Sequence, residues 1–182
     1  MINIFLEYVD GGTVASLTAK HGRFADSVTR LFVRQILLGL EYLHDRRIIH
    51  RDIKGANILV DQNGMAPEVI KAEKYAATID VWSLGCVTVE MLSGARPWHG
   101  FDLVATMYKL GTDQTPPLPA DASDVAKDFL ARCFVVNIKA RPSVADLLVH
   151  PYAQYNPHFK FEEWTKNVGV RRTPTKIFRA KR

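Results

Sequence analysis

Residues 50–57 read His50-Arg51-Asp52-Ile53-Lys54-Gly55-Ala56-Asn57, and after only seven further residues the chain continues Met65-Ala66-Pro67-Glu68-Val69-Ile70. The first string puts a carboxylate, an ammonium and an amide into one short stretch. Transfer of a phosphoryl group to a hydroxyl needs a carboxylate near the attacking oxygen, cations at the moving phosphate, and rigid positioning. Asp52 is the candidate acceptor for a substrate hydroxyl proton. Lys54 is placed to reach a γ-phosphate and offset its developing charge. Asn57 offers a neutral oxygen to Mg2+, a cation that favours hard oxygen ligands.

The flanks of this loop read as short strands, Ile48-Ile49 before it and Ile58-Leu59-Val60 after it, and Asp61-Gln62-Asn63-Gly64 is a turn signal. Further upstream, residues 2–9 (INIFLEYV) predict a strand that Asp10-Gly11-Gly12 ends, then a short helix over about Thr13 to Lys20. Val28, Leu31, Phe32, Ile36, Leu40 and Leu43 recur at gaps of three and four, which predicts a helix from about Ser27 to His44 with one buried stripe. Downstream, Thr78 to Met91 is apolar on most sides, the pattern of a central buried helix. Helices over Phe101 to Leu110, Ser123 to Val135 and Ser143 to His150 follow, with a Pro-rich break at 115–119. The fold class expected is mainly α, with a remnant strand at the start and a short β-hairpin after the loop.

The chain has 182 residues, 47% hydrophobic and 24% charged, enough for one globular domain with a real core. It contains no apolar run long enough to predict a membrane span and no nucleic-acid motif. Met1 to Glu7 lacks the basic start of a signal peptide. The two cysteines, Cys86 and Cys133, each sit in an apolar stretch and read as buried thiols of a reducing compartment, so a cytoplasmic location is expected. The net charge of +5 is concentrated from Lys160 to Arg182, where eight Lys/Arg face two Asp/Glu. That basic tail reads as a solvated end, or as a docking segment.

Taken in order, these motifs resemble the large lobe of a eukaryotic serine/threonine protein kinase. Ala66-Pro67-Glu68 matches the A-P-E signature, Asp80-Val81-Trp82-Ser83-Leu84-Gly85 matches the D-x-W-S-x-G of the family's central helix, and Arg141-Pro142 matches the arginine that pairs with the A-P-E glutamate. Lys54 is the serine/threonine form of the loop. The wording HRDIKGANILV, with GGTVASL before it and KARPSVADLLVHPY after it, is similar to the mitogen-activated protein kinase kinase kinases. The resemblance covers about Ile2 to Tyr152. It divides the chain into a partial kinase domain at 1–152 and a basic tail at 153–182.

Several roles are implied by that resemblance. Residues 5–9 would be the hinge that binds adenine, with Leu6 as gatekeeper, the Glu7 carbonyl and the Val9 N–H as the two hydrogen-bonding groups, and Leu59 as the floor under the ring. His50, Arg51, Glu68, Asp80 and Arg141 would be structural: Asp80 would bond the backbone of the loop, and Glu68 would pair with Arg141. ATP and Mg2+ would be the cofactors, and a downstream protein kinase the substrate and partner.

Two parts of the family pattern are missing. No Gly-rich loop or V-A-I-K lysine precedes residue 5, and no D-F-G lies between Asn57 and Ala66. The chain is therefore expected to bind ATP weakly or not at all and to be inactive alone. The alternatives are a non-catalytic remnant that binds partners and a mis-spliced or incomplete reading frame joined at Gly64–Met65. The short join also predicts strain: Asp61 to Gly64 spans at most ~14 Å when extended, so either the strand at 58–60 frays or Met65 to Glu68 is displaced.

Overall fold

The computed structural model describes residues 11–61, 64–66, 77–112 and 114–154. Six helices and one small hairpin make up this part of the chain: α1 (Val14–His21), α2 (Asp26–Asp45), β1 (Leu59–Asp61), β2 (Gly64–Ala66), α3 (Thr78–Ser93), α4 (Leu103–Gly111), α5 (Asp124–Cys133) and α6 (Val144–Leu148). Single 3-10 turns lie at Gly55–Asn57 and Pro151–Ala153. The mainly helical class expected from the sequence is what forms. The strand expected at residues 2–9 lies outside the described residues.

Helix starts follow the local chemistry. Thr13 and Ser16 form a capping box on α1, and Ser143 with Asp146 does the same on α6. Ser123 caps α5 and Asp102 caps α4 through their side chains. Gly94 ends α3 in the left-handed region at φ 73°, where a side chain would be strained.

Helix α3 is the axis of the core. Val81, Leu84, Val87, Val89, Met91 and Leu92 are all buried on it, and α2, α5 and α1 pack around it. On α2 the expected stripe is buried at Val28, Phe32, Ile36, Leu40 and Leu43, but Leu31 is only half-buried. Val33 and Leu37 are fully buried instead, because α2 is covered by α3 on one side and by α6 on the other. Each such side chain contributes roughly 1.5–3 kcal/mol on burial. At the far end, Arg30 and Arg34 of α2 donate to the carbonyls of Pro151, Tyr152 and Ala153, fastening the last described turn.

The strand expected at Ile48-Ile49 does not form. The Ile48 N–H bonds back to Leu43 O at 2.9 Å, and the His50 and Arg51 amides are taken by the Asp80 carboxylate of α3 rather than by a strand. After the loop, β1 forms and does not fray. It pairs antiparallel with β2 in the register Leu59–Ala66, Val60–Met65 and Asp61–Gly64, which leaves Gln62 and Asn63 as the two residues between the paired ends. The backbone of Met65 and Ala66 is thus drawn into the hairpin as its second strand. Pro67 and Glu68 lie outside the described residues.

Cys133 is fully buried and Cys86 is half-buried, and both are free thiols. Burial pushes the Cys86 thiol up to about 12 and raises that of Cys133 as well. Among the described residues, no helix is long and apolar enough to cross a membrane.

Candidate active site

The 50–57 loop crosses the surface of α3 and is gripped from below by Asp80. This aspartate is fully buried in the first turn of α3. Its Oδ1 accepts the Arg51 N–H at 2.7 Å, and its Oδ2 accepts the His50 N–H at 2.8 Å. His44, at the end of α2, places Nε2 2.8 Å from the same Oδ2. Burial pushes the Asp80 carboxyl up, but the hydrogen bonds from His44, His50 and Arg51 outweigh it and hold the group below its usual range. Arg51 is held at φ 65°, the left-handed region that costs a non-glycine residue about 1–2 kcal/mol. A strained backbone whose amide lands on a buried carboxylate is a device for aiming the next side chain.

That next side chain is Asp52, which points to solvent. The Lys54 Nζ lies 2.8 Å from its Oδ2, and the Asn57 Nδ2 donates to the same oxygen at 2.6 Å and to the Asp52 carbonyl at 2.9 Å. The Asp52 N–H bonds His50 Nδ1 at 3.3 Å. The bonds from Lys54 and Asn57 hold the Asp52 carboxyl below its usual range, so it is ionised and an acceptor at neutral pH. The structure therefore brings Asp52, Lys54 and Asn57 together, with His50, Arg51 and Asp80 beneath them. With Asn57 Nδ2 donating to Asp52, its amide oxygen Oδ1 is left as an acceptor. Among the described residues, no three His, Cys, Asp or Glu side chains converge on a metal position.

Leu59 is placed by the segment that follows residues 5–9. Ile58 O accepts the Val14 N–H at 3.0 Å, and Gly12 O accepts the Val60 N–H at 2.9 Å. Thr13 and Leu59 are thereby bridged. A Cβ on Gly11 would run into Val60 O, so only glycine permits this approach. Leu6, Glu7 and Val9 lie outside the described residues.

Arg141 behaves as an internal tie. It donates from Nε to Val135 O at 2.8 Å and from Nη1 to Thr78 O at 2.9 Å, and it stacks 4.9 Å from the centre of the Trp82 ring. Its expected partner, Glu68, is outside the described residues. Sequence reading missed His44, because a histidine near the end of a helix carries no signal until the helix it faces is known.

Comparison with known proteins closes the question of family. The protein kinase domain model matches residues 1–65 and again 63–153. The chain belongs to the protein kinase domain family. It is 38% identical over 200 aligned positions to the MAP kinase kinase kinase mkh1 of Schizosaccharomyces pombe, covering 89% of this chain and 18% of that protein. It is 41% identical to the mitogen-activated protein kinase kinase kinase ANP1 of Arabidopsis thaliana over 83% of this chain and 28% of that one. The serine/threonine-protein kinase BCK1/SLK1/SSP31 of Saccharomyces cerevisiae is 37% identical over 88% of this chain and 13% of its own length. The kinase chain thus spans less than a third of each of these relatives.

Proposed function

We propose that this chain derives from a serine/threonine kinase domain of the MAP kinase kinase kinase type, and that as it stands it does not perform phosphoryl transfer alone. In the complete form, the γ-phosphoryl group of ATP passes to a Ser/Thr hydroxyl of a downstream protein kinase. In this reading Asp52 accepts the hydroxyl proton, Lys54 faces the moving phosphate, Asn57 is one metal ligand, and Leu6, Glu7, Val9 and Leu59 frame adenine. A cytoplasmic location accords with two free, partly or fully buried thiols.

The observation that carries the proposal is the direct run from β1 into β2. In the kinase signature set, the D-F-G aspartate and the activation loop stand between the 50–57 loop and A-P-E. Here Leu59–Asp61 pairs at once with Gly64–Ala66, and the Ala of A-P-E is already in the second strand. Two findings support a missing segment at this point. The family match breaks into two pieces that adjoin at residues 63–65. The alignment to mkh1 runs over 200 positions although this chain has 182 residues, so that relative carries residues with no counterpart here. Loss of metal stabilisation worth several kcal/mol removes about a thousandfold or more of rate, since 1.36 kcal/mol is tenfold.

The full chain and its Asp52→Asn variant, incubated with Mg-ATP and a Ser/Thr peptide library, test this directly. Transfer by the chain is expected not to exceed that by the variant. Transfer above the variant would overturn the inactivity, and a Mg-ATP-dependent rise in Tm that Asn57→Ala abolishes would overturn the expected lack of nucleotide binding.

A further inference from the structure

We infer that the outer face of α4 is a self-association surface, on which a second copy of this chain lays its own α4 antiparallel across a two-fold axis. The other five helices each bury apolar residues in the core. Helix α4 is arranged the other way. Among its described side chains none is buried, and the half-buried ones are Ala105, Thr106 and Lys109. Val104, Met107 and Tyr108 are 77%, 64% and 69% exposed. At 100° of turn per residue, Met107, Gly111, Val104 and Tyr108 fall within ~100° of one another, so they share one face.

That face is held ready. Asp102 Oδ1 accepts the Ala105 N–H at 2.7 Å at the start of α4, and the Thr112 N–H bonds Tyr108 O at 3.0 Å at its end. Lys109 Nζ lies 4.5 Å from the centre of the Phe101 ring and 3.1 Å from Gln114 Oε1, fastening both flanks. A surface already ordered loses little freedom on pairing.

Area and symmetry identify the occupant. With the exposed Phe101 and Leu110 at its edges, the face leaves roughly 500 Å² of apolar surface open, near the upper limit for a monomer. Two copies together bury about 1,000 Å², the floor for a specific interface. A two-fold axis between residues 107 and 108 makes the face complementary to itself. Met107 then meets the Tyr108 ring of the second copy, and Val104 sits over its Gly111, each contact occurring twice. A Cβ at Gly111 would meet no described atom within 4 Å, so packing within one chain does not call for glycine there. Glycine weakens a helix, but it admits the close approach of another. Antiparallel pairing also opposes the two helix dipoles, whereas a parallel pair would set Gly111 on Gly111 and leave a void. None of the four residues on the face is charged, so pairing strands no ion. Such pairing needs no phosphoryl transfer and holds or fails apart from the proposed function.

Sedimentation velocity on the full chain tests it. A reversible dimer is expected with a Kd of about 10 μM, as suits an interface at the small end of the range. Met107→Glu and Tyr108→Lys each set a charge against an apolar residue of the other copy, and each is expected to raise Kd about tenfold or more. Both positions are exposed in the single chain, so each variant should keep the helix content of the wild type. Mixing the two variants is the decisive measurement. In the mixed pair the new carboxylate of one chain faces the new ammonium of the other, while the second Met107–Tyr108 contact is intact. The mixture is therefore expected to associate about tenfold more tightly than either variant alone. A chain that stays monomeric at about 100 μM overturns the assignment, whether the face is then bare, covered by residues 155–182 or kept for a different protein. A dimer that neither substitution weakens, or a mixture no tighter than its components, overturns it as well.

Discussion

His44 Nε2 lies 2.8 Å from Asp80 Oδ2, joining the end of α2 to the start of α3 beneath the 50–57 loop. Both backbone amides on this carboxylate also donate, so three N–H groups meet one buried anion. The arrangement ties two core helices and the loop to a single residue. Removing any member leaves charge or donors stranded in the interior, which is what makes the site rigid.

The first prediction concerns Asp80 and pH. Asp80→Asn keeps the shape but turns one acceptor into a donor facing other donors. It is expected to lower the stability of the chain by about 3 kcal/mol at neutral pH, read by urea unfolding. Asp80 titrates below its unfolded value, so its contribution is present above the usual carboxylate range and lost as pH falls through the lower folded value. The gap between the wild type and Asp80→Asn should therefore narrow in acid, below about pH 4. A gap of constant size down to the acid limit would show that the carboxylate's charge is not what holds the loop.

Gly85 tests the packing of α3 on α5. An added Cβ would meet Cys133 Cβ and Phe134 Cε1, each at 2.8 Å. Cys133 is fully buried and cannot yield. Alanine improves helix propensity by about 1 kcal/mol, whereas overpacking costs about 1–3 kcal/mol. The clash should win: Gly85→Ala is expected to lower Tm, and Phe134→Leu in the same chain should restore part of the loss. A Gly85→Ala chain as stable as the wild type would mean that the two helices can move apart.

Arg141 is predicted to act through carbonyls. Lysine keeps the charge but cannot donate to Val135 O and Thr78 O together while stacking on Trp82. Arg141→Lys is expected to cost about 1.5–3 kcal/mol by urea unfolding. Because these partners among the described residues are neutral, the loss should be the same in low salt and in 1 M salt. A loss that shrinks with salt would point to a carboxylate partner, since exposed ion pairs are screened.

Much of this architecture was legible along the chain, and the reasons are local. The 3.6-residue spacing of Val28, Phe32, Ile36, Leu40 and Leu43 has only one efficient way to be buried, and α2 forms there. The run from Thr78 to Met91, apolar on most sides, required a helix surrounded by others, and α3 is that helix. Asp61 to Gly64 carries turn chemistry, and the hairpin closes there. Asp52, Lys54 and Asn57 are so close in sequence that one short loop has to bring them together. Ile48-Ile49 misled because two β-branched residues favour a strand until their neighbours' amides are claimed by a carboxylate from elsewhere. His44 gave no sign at all, since its partner Asp80 lies far away in sequence.

By itself, then, the sequence determined the helices, the contents of the 50–57 loop, and the absence of a D-F-G between that loop and Ala66. All three depend on the order of residues along the chain. The tertiary structure decided which groups hold the loop in place. The resemblance already implied Asp80, but His44 could be recognised as a support only once α2 and α3 were packed, because a buried carboxylate must find its donors in whatever the fold lays across it. The same packing drew Met65 and Ala66 into a hairpin with Leu59 and Val60, since an unpaired strand beside the core would have left its amides unsatisfied.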